Sequence, residues 1–504
     1  HLRHTARSEV FCAYNNRMLK RLFTRFATSQ TLLFSVLAVI VGLFSGIGVW
    51  LFKVLFALLN KELFGLSDSI ANWTVVLIPI LGGLAVGLLS KFFIGREKLH
   101  GTASVMQSVA LSGGRLRYQK TPIKTLAAIL SLGSGASVGP EDPSVFIGAS
   151  IGSLFGQKFR VSEERLRSLV ASGAAAAIAA AFNAPIAGVF FALEIVLGEL
   201  AGSSMGMILV SSVTSAVFTQ AVSGSQPAFT IPHYGFNSAW ELPLYLLLGL
   251  LAGPVSAFYV RLLYKMQDLF GSWNAPAWIK PAAAGLGVGL VGLFLPQIFG
   301  DGYEIIGSIL NNDTFSIWML LLLLIAKLIL TPLSIGGGFY GGVFAPSLFL
   351  GATLGAAFGI ATSQFLPALN IQPAAFALVG MAAVLAGAVH APLTASLLLF
   401  EMTADYRIIL PLLFSVAFSM VISQRIQRDS VYSMGLARHG IRLARGKDIE
   451  VLATISVGEV MRANPDTLTE PMTLKQASDE LARTRRQGMA VVDGRGDLAG
   501  MLTL

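Results

Sequence analysis

Apolar residues run along this chain in long blocks with few polar interruptions. Residues 32–59, 73–89, 242–262, 282–295, 317–333 and 408–422 contain almost no charged positions. A helix on the surface of a water-soluble domain shows polar residues on one face every three to four positions. These blocks do not, so they predict helices surrounded by lipid or protein on all sides. A full membrane crossing takes about 20 apolar residues; several blocks are shorter and predict tilted or partial helices. From residue 449 the pattern changes. A strand-like stretch at 466–469, a helical one at 474–484 and two more strand-like stretches at 488–493 and 497–503 predict a small β-α-β-β unit.

The apolar pattern also repeats. Residues 133–156, GSGASVGPEDPSVFIGASIGSLFG, return as GGGFYGGVFAPSLFLGATLGAAFG at 336–359, and a slide of 203 positions lays Pro143 on Pro346 and Gly148, Gly152 and Gly156 on Gly351, Gly355 and Gly359. In the 14 positions from Pro143 to Gly156, eight residues are identical in the copy, and Lys124 falls on Lys327 at the same offset. Residues 173–194 pair with 380–401 at an offset of 207, which lays Glu194 on Glu401. Paired apolar segments broken by Gly and Pro at matching places are the sequence mark of inverted-repeat transporters. The expected fold is an all-α polytopic membrane protein of two inverted repeats of tilted and partial helices, followed by a small α/β region. The expected divisions are an N-terminal segment 1–30, a first repeat 31–235, a second repeat 236–440, and a linker with the α/β region at 441–504. Within this plan residues 161–169 read as a short charged connection, and the Ala-rich run at 171–182 as a buried helix.

Composition supports the membrane assignment and removes other classes. With 54% hydrophobic and 12% charged residues the chain is too apolar for a water-soluble globular protein. Its single cysteine, Cys12, leaves no disulfide framework and no cysteine metal cluster. The six histidines are scattered, and no nucleophile elbow, phosphate loop or dinucleotide fingerprint stands in a suitable context. Neither an enzyme nor a metal site nor a cofactor is therefore expected. The net charge of +9 comes from basic residues that flank the apolar blocks, among them Arg17, Lys20, Arg21, Arg115, Lys120, Arg425 and Arg428. Positive-inside topology accounts for them without nucleic acid, and predicts both termini in the cytoplasm of a plasma (inner) membrane.

The candidate chemistry lies in the repeated glycine-rich turns. A turn that opens a helix presents unpaired N–H groups and the positive end of the helix dipole, an anion site without a fixed cation. Such a site holds chloride loosely enough for conduction. Glu141 stands in the first turn, and a carboxylate at membrane depth marks a pathway. Ionised, it can take an anion position itself and block it; protonation or an incoming anion displaces it. Asp142 beside it raises the cost of ionising both acids. Lys124 is the expected counter-charge.

Three elements together resemble the CLC family of chloride channels and chloride/proton exchangers: Gly139-Pro-Glu-Asp-Pro143, Gly342-Val-Phe-Ala-Pro346 and Tyr432. Asn183-Ala-Pro185 matches a further family element. The resemblance covers nearly the whole chain, and the C-terminal unit resembles the start of a CBS domain, with Val457-Gly-Glu-Val-Met461 at its beginning and a second motif expected past residue 504. Two departures stand in the first element, where Asp142 replaces a glycine and Pro140 a basic residue. A third is His100, at the position of a serine. The resemblance implies a homodimer in the lipid bilayer with one pore per subunit. It implies chloride held by the backbone N–H groups of Val343 and Phe344 and the Tyr432 hydroxyl, with His100 completing the inner side, Glu141 as the gate, and Gly139, Gly342, Pro346, Lys124 and Asp142 supporting the pore. A loop role for His100 and an interfacial-anchor role for Tyr432 stand beside these. Chloride is the only ligand implied for the membrane part; a nucleotide could bind a complete CBS pair.

Exchangers of the family generally carry a glutamate one residue after the position of Glu194. Here that residue is Ile195, which cannot carry a proton, and Glu194 reads as structural. The expected function is therefore a gated chloride channel. Chloride/proton antiport is the alternative, and a sodium-coupled symporter with inverted repeats a more distant one.

Overall fold

The computed structural model describes residues 30–70, 72–95, 99–200, 204–225, 229, 241–311, 315–369, 371–403, 405, 407–441, 466–484 and 488–503. The chain divides into two compact units, His1–Lys447 and Asp448–Leu504.

The larger unit is helical among its described residues. The first half contains α1 (Gln30–Ile70), α2 (Leu77–Leu89), α3 (Gly101–Leu111), α4 (Thr121–Gly133), α5 (Glu141–Lys158), α6 (Glu163–Phe182), α7 (Pro185–Phe191) and α8 (Met205–Ser223). The second contains α9 (Leu242–Ser272), α10 (Lys280–Phe294), α11 (Tyr303–Leu310), α12 (Ile317–Gly337), α13 (Phe344–Phe365), α14 (Pro373–Val389), α15 (Pro392–Thr403), α16 (Ile409–Ile426) and α17 (Val431–Ala437). Eight helical stretches among the described residues are long and apolar enough to cross a membrane. Large apolar side chains such as Phe92, Phe294 and Trp318 stand exposed on the outer surface, whereas the stretch Glu163–Phe182 is enclosed by protein over 83% of its apolar window. The Ala-rich run is thus a buried helix, but residues 163–169 belong to the same helix and are not a connection; Glu163 and Glu164 fill its first turn, where the helix dipole favours acidic groups.

Local sequence explains where the buried helices break. Asn183 ends α6 and His390 ends α14, each in a left-handed conformation with φ 57°. In both places Ala-Pro follows, and the proline opens the next helix, where its missing N–H costs nothing. Buried hydroxyls tie neighbouring helices together by donating to backbone carbonyls. Ser215 of α8 donates to the Ala176 carbonyl of α6, and Ser419 of α16 donates to the Ala383 carbonyl of α14.

Reciprocal contacts define the relation between the halves. Glu194 accepts hydrogen bonds from the N–H groups of Leu393 (3.2 Å) and Thr394 (2.8 Å) at the start of α15, and Glu401 accepts from Ile186 (2.9 Å) and Ala187 (2.7 Å) at the start of α7. Sequence-equivalent acids thus cap each other's equivalent helices, as a two-fold axis through the chain demands. Helices α2 and α10 cross in the same manner. A Cβ on Gly83 would stand 2.4 Å from the Pro281 carbonyl oxygen, and one on Gly285 2.2 Å from that of Pro79. Further along, Gly87 faces Trp278 and Gly289 faces Val76, so the partner's number falls as α2 rises and the equivalent helices run antiparallel. The two repeats are inverted.

The smaller unit has a three-stranded sheet in the order β1 (Thr467–Thr469), β2 (Gly488–Val492), β3 (Leu498–Thr503), with β1 parallel and β3 antiparallel to β2. Helix α18 (Leu474–Thr484) buries Ala477 and Leu481 against Leu468 and Met489. This is the β-α-β-β order expected from the pattern; residues 457–461 lie outside the described residues.

The α2–α10 crossing can be tested directly. We predict that Gly83→Ala and Gly285→Ala each destabilise the protein by about 1–3 kcal/mol, the usual cost of overpacking. Gly206→Ala, with open space around it, should not. Thermal unfolding in detergent measures the difference, and equal melting of all three variants would remove the crossing as a determinant of stability.

Candidate functional site

The two glycine-rich turns meet on the two-fold axis. Gly139 N–H donates to the Gly342 carbonyl (2.8 Å) and Gly342 N–H donates to the Gly139 carbonyl (2.6 Å), an isolated antiparallel bridge between repeat-equivalent residues. Past the bridge each turn opens a long helix, α5 at Glu141 and α13 at Phe344. The Ser144 hydroxyl donates to Pro140 O and that of Ser347 to Val343 O, securing the two first turns alike. Two helix N-termini, with their positive dipole ends and unpaired N–H groups, are thus brought to one place. Pro346 is buried in the first turn of α13.

Glu141 sits at this place, only 1% exposed. Its Oε1 accepts a hydrogen bond from the Tyr303 hydroxyl (2.8 Å). The backbone N–H groups of Glu141 itself and Ala345 act on the carboxylate, whose Oε2 completes no hydrogen bond. A Cβ on Gly139 would lie 2.0 Å from Oε2, so only glycine leaves room for the carboxylate. Tyr303, at the start of α11, packs edge-on to Phe182 and tilted to Phe229. The charged groups that act on Glu141 include Asp301 and Lys53, and Lys53 also donates to the Ala181 carbonyl (2.8 Å). Lys327 donates to the carbonyls of Ile298 (3.1 Å) and Gly300 (2.7 Å), fixing the segment that carries Asp301 and Tyr303.

This corrects the expectation for Lys124. Its ammonium lies 4.3 Å from the centre of the Phe146 ring and lines a cavity on the Asp142 side, while Lys53 from α1 acts on Glu141. An equal offset in the two repeats gives Lys124 and Lys327 equivalent places over Phe146 and Phe349, but neither place is against the glutamate.

Asp142 turns the other way. Its Oδ1 accepts hydrogen bonds from the Thr102 hydroxyl (2.5 Å) and the Tyr432 hydroxyl (2.8 Å). Tyr432, 4% exposed, stacks on Phe344, which in turn meets Phe191 edge-on. The hydroxyl expected to hold an anion is therefore aimed at a carboxylate. Its companion is Thr102; His100, two residues earlier, is exposed and tilts its ring against Tyr340 at 5.0 Å. The expectation that His100 completes the inner side gives way to Thr102, because the first turn of α3 carries residue 102 inward.

A cavity of about 800 Å³ reaches this pair, with Asp142, Tyr432, His100, Lys124, Val343 and Arg438 in its walls. Glu141 is not among its lining residues. Ile195 is buried at 5% in the turn Ala192–Leu197, as an apolar core residue. Among the described residues no group of His, Cys, Asp and Glu side chains could hold a metal ion.

Inverted helical halves, paired helix N-termini at their axis and a buried carboxylate between them define an anion-transporting membrane protein. The profile of the family described as voltage gated chloride channel matches residues 82–424, and that of the CBS domain matches residues 457–504. The chain belongs to the CLC family of voltage gated chloride channels. It is 36% identical to a putative chloride channel protein ClcB-like of Ralstonia nicotianae, over 75% of this chain and 89% of that protein. It is 32% identical to the H(+)/Cl(-) exchange transporter ClcA of Vibrio cholerae, over 84% and 93%. Among solved structures it resembles a slow cyanobacterial Cl-/H+ antiporter with a TM-score of 0.75 at 28% identity, over 81% and 97%.

Tyr303 had no signal in the sequence, and its role is testable. A hydrogen bond to a charged group contributes about 1.5–3 kcal/mol. We predict that Tyr303→Phe eases the displacement of Glu141 and speeds chloride efflux from liposomes on the order of tenfold. An unchanged rate would show that the hydroxyl does not hold the carboxylate in place.

Proposed function

We propose that this protein exchanges chloride for protons across the membrane. The observation that carries the reading is the closure around Glu141. Glu141 is 1% exposed and its carboxylate holds the Tyr303 hydroxyl, and the cavity lined by Asp142 and Tyr432 does not include it among its walls. A buried, exchangeable anion out of the cavity's reach suits a carrier that trades one occupant per cycle. The relatives named as exchange transporter and antiporter support it over the passive channel that Ile195 suggested.

In this reading the ionised Glu141 carboxylate occupies an anion position beside the two helix N-termini, and chloride enters when the acid takes up a proton. Backbone N–H groups of Val343 and Phe344 stabilise the chloride through partial charges, strongly enough to admit it and weakly enough to release it. No metal or cofactor takes part. The working unit is a homodimer in the lipid of the plasma membrane, with both termini in the cytoplasm. A passive channel is the second reading, and the buried aliphatic Ile195 is the observation in its favour.

Liposomes with an imposed chloride gradient and no pH gradient separate the two. The exchanger drives protons uphill as chloride runs down; the channel does not. We predict that Glu141→Gln abolishes this proton movement while chloride still flows, since an amide neither carries the proton nor imitates chloride. Wild-type chloride flux should fall as pH rises, because the ionised acid blocks, and the variant's flux should stay level. A variant that keeps the wild-type pH profile would remove Glu141 from the gate.

A further inference from the structure

We infer that Asp142 is a second tethered anion, set at the cavity-side chloride position, and that it takes protons from the cavity and hands them to Glu141. The inference rests on the exchange reading and supplies the inner proton acceptor that Ile195 cannot be.

Two hydroxyls, from Thr102 on α3 and Tyr432 on α17, converge on one oxygen of Asp142. Hydroxyl donors brought together from different helices make a site for an anion, and here the protein's own carboxylate fills it. Asp142 is only partly buried and forms part of the cavity wall, so solvent-borne protons and chloride both reach it. Although its carboxylate turns to Thr102 and Tyr432, its Cβ lies near Glu141. A Cβ on Gly342 would lie 3.2 Å from Glu141 Oε2 and 3.3 Å from Asp142 Cβ, so the two acids flank the same glycine.

Other carboxylates on this side are committed. Asp268, also in the cavity wall, receives both terminal nitrogens of Arg438, at 2.6 and 2.8 Å. Glu194 caps α15 with three accepted hydrogen bonds. The titratable groups facing Asp142 are Glu141 on its own helix, His100 before α3, Lys124 on α4, Tyr259 and Tyr264 on α9, and Tyr432. Lys280 and His439 share the cavity. The Tyr264 hydroxyl donates a hydrogen bond to the Val431 carbonyl.

The step balances without a further reactant. A proton from cavity water adds to the Asp142 carboxylate, and the neutral acid yields its place under Thr102 and Tyr432 to a chloride ion. The acid's O–H bond then breaks as the proton passes to the Glu141 carboxylate. Asp142, ionised again, competes the chloride out into the cavity.

The test uses the full chain in liposomes with a chloride gradient. Asp142→Asn should cut the proton-to-chloride ratio at least tenfold, with faster chloride flux and tighter chloride binding by calorimetry, because the tethered competitor is gone. Asp142→Glu should restore much of the coupling. Wild-type coupling in Asp142→Asn would overturn the inference and leave the exchange reading standing. Absence of uphill proton movement in the wild type would overturn both. Should Asp142→Asn fail to fold, the pair Thr102→Val and Tyr432→Phe leaves the acid in place without its donors. The pH profile of proton uptake should then move to higher pH, and an unmoved profile would also overturn the inference.

Discussion

Two peptide hydrogen bonds, between Gly139 and Gly342, hold the rest of this structure in register. They join the only kind of residue that could meet there. A side chain on Gly139 would collide with the Glu141 carboxylate, and one on Gly342 would crowd the backbone N of Asp142 at 2.9 Å. Because the pair lies on the two-fold axis, whatever one turn does to its helix the other repeats with opposite sense. Helices α5 and α13 therefore begin at the same depth from opposite directions. An anion site made of helix ends requires this arrangement, since the partial charge at a helix start falls off within one turn.

The same constraint accounts for how charge is handled at depth. The helix starts at the bridge offer backbone N–H groups, and Lys53, Lys124 and Lys327 make their hydrogen bonds and ring contacts elsewhere. Lys327 is spent on two carbonyls, Lys53 on one carbonyl with Asp301 and Glu141 in its field, and Lys124 lies over an aromatic ring. A full cation at the helix starts would hold chloride too firmly to release it. Glutamates used for construction follow a matching rule. Glu194 and Glu401 accept from the first N–H groups of each other's repeat, which settles two helix ends that lipid could not satisfy.

Much of this was legible in the chain. The repeat showed through identical residues at a fixed offset, because both copies solve the same problem of close helix contact and a glycine-rich helix start. The burial of Glu141 at a helix start and the structural reading of Glu194 followed from motif and repeat position, whereas the carboxylate that receives the Tyr432 hydroxyl did not. The hidden parts share a cause. Tyr303 meets Glu141 across 162 positions, and Thr102 meets Asp142 across 40. Neither lies in the repeated stretches, and only the fold brings them close. Lys124 misled because a repeat fixes equivalent environments, not partners. His100 misled because matching it to the family's serine fixed a position in the chain without fixing the direction of its side chain. The charged residues 161–169 read as a connection because a buried helix can begin with acidic residues at its solvent end.

The cavity's own charge bears on how fast the proposed exchange could run. Arg438 and Asp268 neutralise each other in its wall, where Lys124, Lys280 and Asp142 also stand. A net positive, partly enclosed space concentrates chloride and depletes protons, by a factor that grows as salt falls. Under the proposed exchange, chloride delivery to the Tyr432 side is then the easier half of the cycle and proton delivery the slower, since both use the same space. Separate routes would let each ion be tuned alone. With Ile195 aliphatic and Glu194 fixed in a helix cap, the proposed exchange would run on a shared route, and a shared route forces a compromise: any cation added to draw chloride in would also slow the proton that lets it pass.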